Sequence, residues 1–368
     1  MTQDARRRTQ RFSDVRADFP YTQECVYLNT AAAGLSWRGL GLAAAEFYDG
    51  AKRRGMNGMP EWRKVADQAR ERIGRMMDVP AASVHFVAST TEGLNLAIQA
   101  IPFSRGDEIL VAADEFSSVV LACESVRRTG AVVKKVAVSR EDERVETLAS
   151  AIGPATRAVA VSHVHWVTGT RVDLERLGEA CRRHDALLVV DGAQGLGAVS
   201  IALGETDIYC ASTFKWLIAG FGLAVLVVRD RAAERLEPAI RGYNNEIPSR
   251  SLQFSHVNYP GIFALNASLE YMERVGWSAI YEQVDGLWRE LRDALAAARI
   301  TIVTPDESHA GILSVLLGDA AALRDALVKD NVFVEERGGL LRISPHFYNT
   351  SADVARFVER LDHLRRDT

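Results

Sequence analysis

The segment CASTFKWLIAGFGLAVLVV, residues 210–228, contains one charged residue, Lys215, among small and apolar side chains. Burying a charged amine without a partner costs several kcal/mol. The lysine therefore has to reach water, pair with an acid, or lose its proton. A lysine that loses its proton becomes a nucleophile, so this segment raises the question of whether Lys215 takes part in a reaction.

Short apolar segments alternate with helical patterns between about residue 80 and residue 230. Several of them are apolar at every position, as are strands that are buried on both faces. Residues 173–184, DLERLGEACRRH, combine an Asp cap, one apolar face and basic residues in the last turn, which predicts a helix. The alternation predicts a doubly wound, mostly parallel α/β sheet with its ligand at the carboxyl ends of the strands. The predicted strands are 107–113, 131–138, 157–164, 186–193, 207–212 and 222–228.

The sequence changes character after NYPG, residues 258–261. Two long helical patterns, three shorter strand patterns and a final helical pattern follow, which is typical of a smaller α+β domain. A length of 368 residues also favours two domains over one. We therefore predict a large domain over residues 30–255 and a small α+β domain formed by residues 1–29 and 256–368.

The composition narrows the function classes. A net charge of -4 gives no electrostatic reason to expect nucleic acid or an anionic membrane as a partner. The four cysteines are scattered and form no CxxC pair, which indicates reduced thiols in a cytoplasmic protein. The basic start, MTQDARRRTQRF, is followed by no apolar run, so no signal peptide is predicted. His163 and His165 have no acidic or cysteine companions in the sequence around them, and no metal site is predicted.

A second ionisable residue follows another apolar strand. In LLVVDGAQG, residues 187–195, Asp191 ends the strand and Gly192 follows at once. Asp-Gly is also a common turn pair, so this acid alone is open to a purely structural interpretation. Asp191 and Lys215 at the ends of neighbouring strands would face one crevice. Pyridoxal phosphate needs such a pair, an amine for its Schiff base and an acid that keeps its pyridine nitrogen protonated.

The segment VHFVASTTEGLNLAIQAI, residues 84–101, offers a place for the phosphate of that cofactor. It combines a short strand, small hydroxyl residues and an amphipathic helix, whose free N–H groups and dipole attract anions. Thr90 and Thr91 could donate from their side chains. Ser89 and Glu92 also form the pattern of a capping box, which needs no ligand, and the two interpretations are compatible.

The order of the motifs resembles that of fold-type-I, pyridoxal-phosphate-dependent class V aminotransferases. This group includes cysteine desulfurases, cyst(e)ine C–S lyases, kynureninases and isopenicillin-N-epimerase-like proteins. The resemblance covers the chain from Tyr27 onward. The motifs are YLNTAAAG (27–34), STTEGLNLA (89–97), SHVHWVTGT (162–170), VVDGAQ (189–194), STFKW (212–216) and LRISPHFYNT (341–350).

The resemblance implies a set of residues around the cofactor. Lys215 matches the Schiff-base lysine, and Asp191 matches the partner of the pyridine nitrogen. The other implied contacts are Gln194 at the phenolic oxygen, Thr90, Thr91 and Ser212 at the phosphate, and Phe116 over the pyridine face. Without the resemblance, a core residue at a strand end is the simpler interpretation of Phe116.

The resemblance also implies how substrate and subunits are arranged. Arg342 matches the residue that binds the substrate α-carboxylate, a task that suits a guanidinium fork, although an arginine on a surface strand is the plainer interpretation. Asn29 lies in the segment that folds over the active site. The family forms homodimers in which residues 254–259 approach the phosphate of the other subunit. His256 is the candidate for that contact, and an exposed loop histidine is the alternative.

Three departures from the desulfurase pattern bear on the reaction. Residues 211–368 contain no cysteine, whereas desulfurases carry a nucleophilic cysteine in the small domain. Phe214 replaces the histidine that often precedes the lysine. Trp166 stands where desulfurases have asparagine, and a tryptophan at this position is similar to the lyase and epimerase-like branches.

The sequence therefore favours β-elimination from a β-substituted amino acid, a C–S lyase type of reaction with Lys215 as the base. His165 and Tyr243 are candidate proton donors for the leaving group. The alternatives are an aminotransferase that uses a keto acid, an amino-acid epimerase, and a non-catalytic sensor module that has kept the fold.

Overall fold

The computed structural model describes residue 12, residues 14–247 and residues 249–366. The basic stretch at residues 1–11 lies outside the described part. The strands are β1 (Val26–Tyr27), β2 (Val84–Val87), β3 (Glu108–Ala112), β4 (Val132–Val136), β5 (Thr156–Ser162), β6 (Leu187–Asp191), β7 (Ile208–Ser212), β8 (Ala224–Val228), β9 (Thr301–Ile302), β10 (Leu313–Leu316), β11 (Val332–Phe333), β12 (Glu335–Arg337) and β13 (Leu340–Ile343).

Helices lie between many of these strands in the order of the chain. They are α1 (Leu40–Arg54), α2 (Met59–Met77), α3 (Thr90–Gln99), α4 (Ser117–Glu124), α5 (Arg144–Ala151), α6 (Leu174–Arg183), α7 (Asp230–Ala233), α8 (Tyr259–Val275), α9 (Trp277–Ala297), α10 (Ala320–Lys329) and α11 (Ser351–Arg366). No helix among the described residues is long and apolar enough to cross a membrane.

The large sheet has seven strands in the order β2-β8-β7-β6-β5-β3-β4. Strands β3 to β7 run parallel to one another, whereas β8 is antiparallel to both β2 and β7. Because β5, β6 and β7 are parallel neighbours, Ser162, Asp191 and Ser212 end them at the same edge of the sheet. The predicted fold class, a mostly parallel doubly wound sheet, is confirmed.

The central strands are apolar at every position because helices cover both faces of the sheet. Along β6, Leu188 and Val190 belong to one hydrophobic cluster, together with side chains of α2, α6 and α8. Leu187 and Val189 belong to the cluster on the other face, with side chains of α3 and α4. Alternate residues of a strand point to opposite faces, so each face needs its own apolar set.

A smaller four-stranded antiparallel sheet has the order β12-β13-β10-β9 and packs with α9, α10 and α11. The pattern VFVEER, predicted as one strand, is two: β11 pairs with β1, and β12 pairs with β13. The N-terminal segment joins this part of the chain through β1 and through a bridge between Asn29 and Ser344. Helix α8 packs instead into a cluster of the large sheet. The predicted boundaries of 30–255 and 256–368 stay predictions.

Two helix ends confirm the local signals in the sequence. Asp173 caps α6 by accepting a hydrogen bond from the Arg176 N–H over 3.0 Å. Gly276 ends α8 with a φ of 93°, a backbone conformation that glycine adopts without strain. Helix α9 begins directly after it at Trp277, so Gly276 is the only residue between the two helices.

Candidate active site

Asp191 is buried at the carboxyl end of β6, with 6% of its surface exposed. Its Oδ1 accepts a hydrogen bond from the Ala193 N–H over 2.8 Å. Burial raises the pKa of Asp191 to about 6, while that hydrogen bond and the charge of Lys215 act in the opposite direction. The carboxylate is therefore ionised above pH 6 and exerts a strong negative field in an apolar surrounding.

Lys215 lies three residues beyond the end of β7, in a half-buried turn. Burial lowers the pKa of its amine to about 8; the charge of Asp191 opposes this shift, and the charges of Arg342 and Arg337 add to it. Its Nζ lies 5.6 Å from the centroid of the Phe214 ring. Lys215 and Asp191 therefore lie close enough for the charge of each to act on the pKa of the other.

The turn that carries Lys215 packs tightly against the N-terminal segment. The Gly34 N–H donates to the Phe214 carbonyl over 2.9 Å. A Cβ on Gly34 would lie 2.1 Å from the Lys215 carbonyl oxygen, so only glycine permits this approach. The motif YLNTAAAG therefore fixes the backbone of the lysine turn.

A cavity opens at this edge of the large sheet. Among the residues that line it, six were predicted from the sequence to hold the cofactor, and Asp191 has the only ionisable side chain of the described lining. The lining consists of Ser89, Thr90, Thr91, Phe116, Ser118, Ser162, Val164, Trp166, Asp191, Ala193, Gln194, Ser212 and Phe214.

The beginning of α3 forms one wall of this cavity. The Ser89 hydroxyl accepts from the Glu92 N–H over 3.1 Å, as in a capping box. The Glu92 carboxylate reaches back to the N–H of Ala88, one residue before the cap. The hydroxyl oxygens of Thr90 and Ser212 are buried and have no hydrogen-bond partner among the described residues. Two unused hydroxyls beside a helix N-terminus fit a phosphate group.

Gln194 is held from two sides at the cavity. Its Nε2 donates to the Ala31 carbonyl and its Oε1 accepts from the Trp216 indole N–H, both over 2.9 Å. The rings of Phe116 and Trp166, which also line the cavity, meet edge to face with centroids 5.4 Å apart. Phe116 is 38% exposed, which is unlike a core residue and suits a ring that covers a ligand.

Arg342 is buried, with 3% of its surface exposed, so it is not a surface-strand arginine. Its Nη1 donates to the Trp166 carbonyl over 2.7 Å, while its Nε has no partner among the described residues. Burial lowers the pKa of this guanidinium to about 10, with a further contribution from Arg337. Asn29 forms a backbone bridge with Ser344, which lies two residues after Arg342. The buried Oδ1 of Asn29 also lacks a partner in the described structure.

His256 does not line the cavity of Asp191 in the same chain. Its ring bonds to the Tyr243 hydroxyl, and both residues line a separate cavity with Arg63, Arg70 and His85. A role of His256 at a phosphate therefore requires a second subunit. The same contacts place Tyr243 away from the reaction site of its own chain, so it is not the proton donor there.

The surroundings of His165 bear on two expectations, namely that no acidic residue accompanies it and that it donates a proton to the leaving group. Acidic groups do accompany it in space, since Asp114 and Glu141 lie close to its ring. Both carboxylates pair with Arg144, which is 1% exposed and offsets one of their two negative charges. The His165 ring bonds to Thr168 and to the Asp114 carbonyl and is 3% exposed. It is therefore not available as a proton donor for a leaving group.

The sequence did not reveal two charged residues near the site. Glu115 is buried, accepts from the Ser162 N–H over 3.0 Å, and contributes to the raised pKa of Asp191. Its position before Phe116 at a strand end was a usable signal. Arg337 acts on both Lys215 and Arg342, and nothing in its local sequence distinguishes it.

Comparison with known proteins agrees with this geometry. The family model for class V aminotransferases matches residues 26–357. The chain belongs to the class V aminotransferase family. This class V enzyme uses pyridoxal phosphate as its cofactor, in keeping with its family and with the Lys215, Asp191 and hydroxyl arrangement described above.

Relatives of this class V enzyme carry several names. Isopenicillin N epimerase of Amycolatopsis lactamdurans is 30% identical over 339 residues, which cover 81% of this chain and 84% of the epimerase. A cysteine desulfurase of Klebsiella pneumoniae subsp. pneumoniae is 27% identical, and the match covers 96% of this chain and 98% of the desulfurase.

Two solved structures share the fold-type-I architecture of this class V enzyme. A cysteine desulfurase from Thermococcus onnurineus NA1 has a TM-score of 0.87 at 22% identity, covering 97% of this chain and 98% of the other. A cystine C–S lyase in complex with its product cysteine persulfide has a TM-score of 0.88 at 20% identity, covering 94% of this chain and 99% of the lyase.

Proposed function

We propose that this class V enzyme catalyses β-elimination from a β-thio-substituted α-amino acid. One observation carries the proposal: no cysteine lies in the described cavity lining, and all four thiols of the chain are buried. Sulfur transfer to an enzyme thiol therefore has no nucleophile at this cavity. A thiol has a pKa of about 8.5, so a thiolate leaves near neutral pH without a proton donor.

The four cysteines support the same proposal. All of them are buried free thiols. Cys210 is nearest to Asp191, as its partner on the adjacent strand, but burial raises the pKa of its thiol well above the usual range. A neutral buried thiol is a poor nucleophile. The sulfur of the substrate would therefore leave directly as a free thiol.

When bound, pyridoxal phosphate supplies an electron sink for the pair of electrons left at the substrate α-carbon. Asp191 would hold the ring nitrogen in its protonated form. The hydroxyls of Thr90 and Ser212 would donate to the phosphate at the start of α3, and Arg342 would hold the substrate carboxylate. Lys215 would take the proton from the α-carbon at Nζ, and burial favours the neutral amine that this task needs.

The decisive experiment is incubation of the holoenzyme with S-substituted cysteines and no keto acid. Continuous release of thiol, pyruvate and ammonia in equal amounts is expected, since elimination followed by hydrolysis consumes one substrate and one water. A single turnover that resumes only after addition of a keto acid would identify an aminotransferase. Recovery of the substrate with inverted configuration, the reaction named for the epimerase relative, would also contradict the proposal.

The pH dependence of cofactor uptake tests the state of Lys215. An amine attacks an aldehyde only when it is neutral, and its lowered pKa makes Lys215 increasingly neutral as the pH rises toward 8. Uptake of pyridoxal phosphate by the apoenzyme is expected to speed up about tenfold per pH unit below pH 8 and to level off above it. Stopped-flow absorbance measures this rate, and a simple alkylamine in the same buffers corrects for titration of the cofactor itself. A rate that climbs steadily to about pH 10 would assign the lysine an ordinary pKa.

We further propose a homodimer, on the family resemblance and on exposed apolar surface. Helix α1 has no buried residue in the single chain. Leu42 on α1, Phe221 beside the lysine turn and Ile247 in the 240–250 loop are 76%, 72% and 82% exposed. Large apolar side chains at this exposure support a protein partner. A second copy would also be needed for His256 to reach a phosphate.

A further inference from the structure

The turn that carries Lys215 contains a residue in a strained backbone conformation. Ile218 has a φ of 51° and is 1% exposed. A β-branched residue at positive φ is disfavoured, and such a conformation persists only where the surrounding structure holds it. Trp216 and Leu217, which lie between the lysine and this residue, are fully buried. The position of Lys215 therefore depends on the contacts that other segments make with the backbone of its turn.

One of these contacts comes from His346, three residues after the end of β13. The Nε2 atom of His346 lies 2.9 Å from the carbonyl oxygen of Trp216, the residue that directly follows Lys215. The rings of His346 and Trp216 also meet edge to face, with centroids 5.3 Å apart. The strand that carries Arg342 is thereby connected to the turn that carries the lysine.

The burial of His346 determines where its proton lies. The side chain is fully buried, and burial lowers the pKa of the imidazole to about 3, although the hydrogen bond to Trp216 acts in the opposite direction. The ring is therefore neutral near pH 7 and has one N–H group. A carbonyl oxygen can only accept a hydrogen bond, so the proton lies on Nε2.

The other ring nitrogen of His346 makes an imidazole unfavourable at this position. Nδ1 is an acceptor in this tautomer, and it is buried without a hydrogen-bond partner among the described residues. An unpaired buried acceptor destabilises the folded state, so packing alone does not account for a histidine here. The favourable polar interaction of the ring is the hydrogen bond that Nε2 donates to the lysine turn.

We propose that His346 is a positioning residue for Lys215, which holds the lysine turn through the Trp216 carbonyl so that Nζ reaches the cofactor. The described cavity lining does not include His346, so it acts on the cofactor only through this turn. The inference rests on the proposed attachment of pyridoxal phosphate to Lys215, and it is independent of the reaction that follows. Loss of the donor would leave a buried carbonyl unpaired beside a strained residue, and the lysine would adopt its reactive position less often.

The kinetic test measures uptake of pyridoxal phosphate by the apoenzyme in stopped-flow absorbance. His346→Leu removes the donor and is expected to slow uptake about tenfold, the effect of one lost buried hydrogen bond. His346→Gln keeps an N–H donor near the place of Nε2 and is expected to recover most of the rate. If His346→Leu does not fold, His346→Asn replaces it, because its shorter amide does not reach the carbonyl. Phe357→Leu, in the core of the small sheet, is the structural control and is expected to lower stability at an unchanged uptake rate.

A binding test separates positioning of the lysine from a general loss of structure. In Lys215→Ala the cofactor binds without a bond to the lysine, so its dissociation constant, from a fluorescence titration, reports on the rest of the site. His346→Leu is expected to weaken cofactor binding about tenfold in the wild-type background. In the Lys215→Ala background it is expected to change the constant by no more than about twofold, as for independent sites.

Two outcomes would overturn the inference about His346. One is a loss of affinity of equal size in both backgrounds, and the other is a His346→Gln variant that takes up the cofactor no faster than His346→Leu. A different outcome would identify a failure of the proposed function itself. If Lys215→Ala alone keeps the absorption and affinity of the wild type, Lys215 does not attach the cofactor, and His346 has no lysine to position.

Discussion

Lys215→Ala is expected to lose the visible absorption of the lysine-bound cofactor and to lower turnover by about 10⁴-fold or more. The substitution removes both the amine that attaches the cofactor and the base that takes the α-proton. Asp191 cannot take over as the base, because its carboxylate is assigned to the ring nitrogen of the cofactor.

The matched control for this variant is Lys329→Ala, at the exposed end of α10. It removes the same side chain and charge and is expected to keep both absorption and turnover. Spectra of the purified variants and assays with S-substituted cysteines give the two readouts. Undiminished turnover of Lys215→Ala would remove the lysine from the mechanism.

The large sheet and its catalytic edge could be predicted from the sequence because they follow local rules. Strands buried on both faces need an apolar residue at every position, as in residues 187–190, and a polar residue then marks where the strand ends. Asp191 was found in this way and the Ser89 cap through its capping-box pattern, whereas Ser212 was implied by the family resemblance; the structure places all three at one cavity.

The missed features depend on residues that are far apart in the chain. His165 meets the carbonyl of Asp114 across 51 residues, and Thr168 meets Glu141 across 27. The position of Arg337 beside Arg342 follows from the register of a hairpin, which the pattern VFVEER concealed because the chain changes sheets at Val334. Local periodicity contains no information on such pairings.

Asp191→Asn is expected to make the apoprotein more stable near neutral pH while it lowers activity. The pKa of Asp191 is raised in the folded state from 3.8 to about 6, so folding disfavours its ionised form. This effect costs nothing below pH 4, where both states are protonated. It develops between pH 4 and pH 6, where only the unfolded state is ionised, and above pH 6 it amounts to about 3 kcal/mol. Asparagine keeps an Oδ1 acceptor for the Ala193 N–H, so the substitution removes the charge and retains the hydrogen bond.

The same variant is expected to turn over about 10²–10³-fold more slowly, because a neutral amide cannot hold a proton on the ring nitrogen of the cofactor. Urea unfolding of the two apoproteins at about pH 4 and pH 7 measures the stability difference, which should appear only at the higher pH. Asp325→Asn on the exposed side of α10 serves as the control and is expected to change neither quantity. If the stability gain were equal at both pH values, packing and not the ionisation of Asp191 would be its cause. The burial that makes Asp191 unfavourable for folding is also what keeps its field strong at the cofactor, so stability and activity are expected to move in opposite directions at this residue.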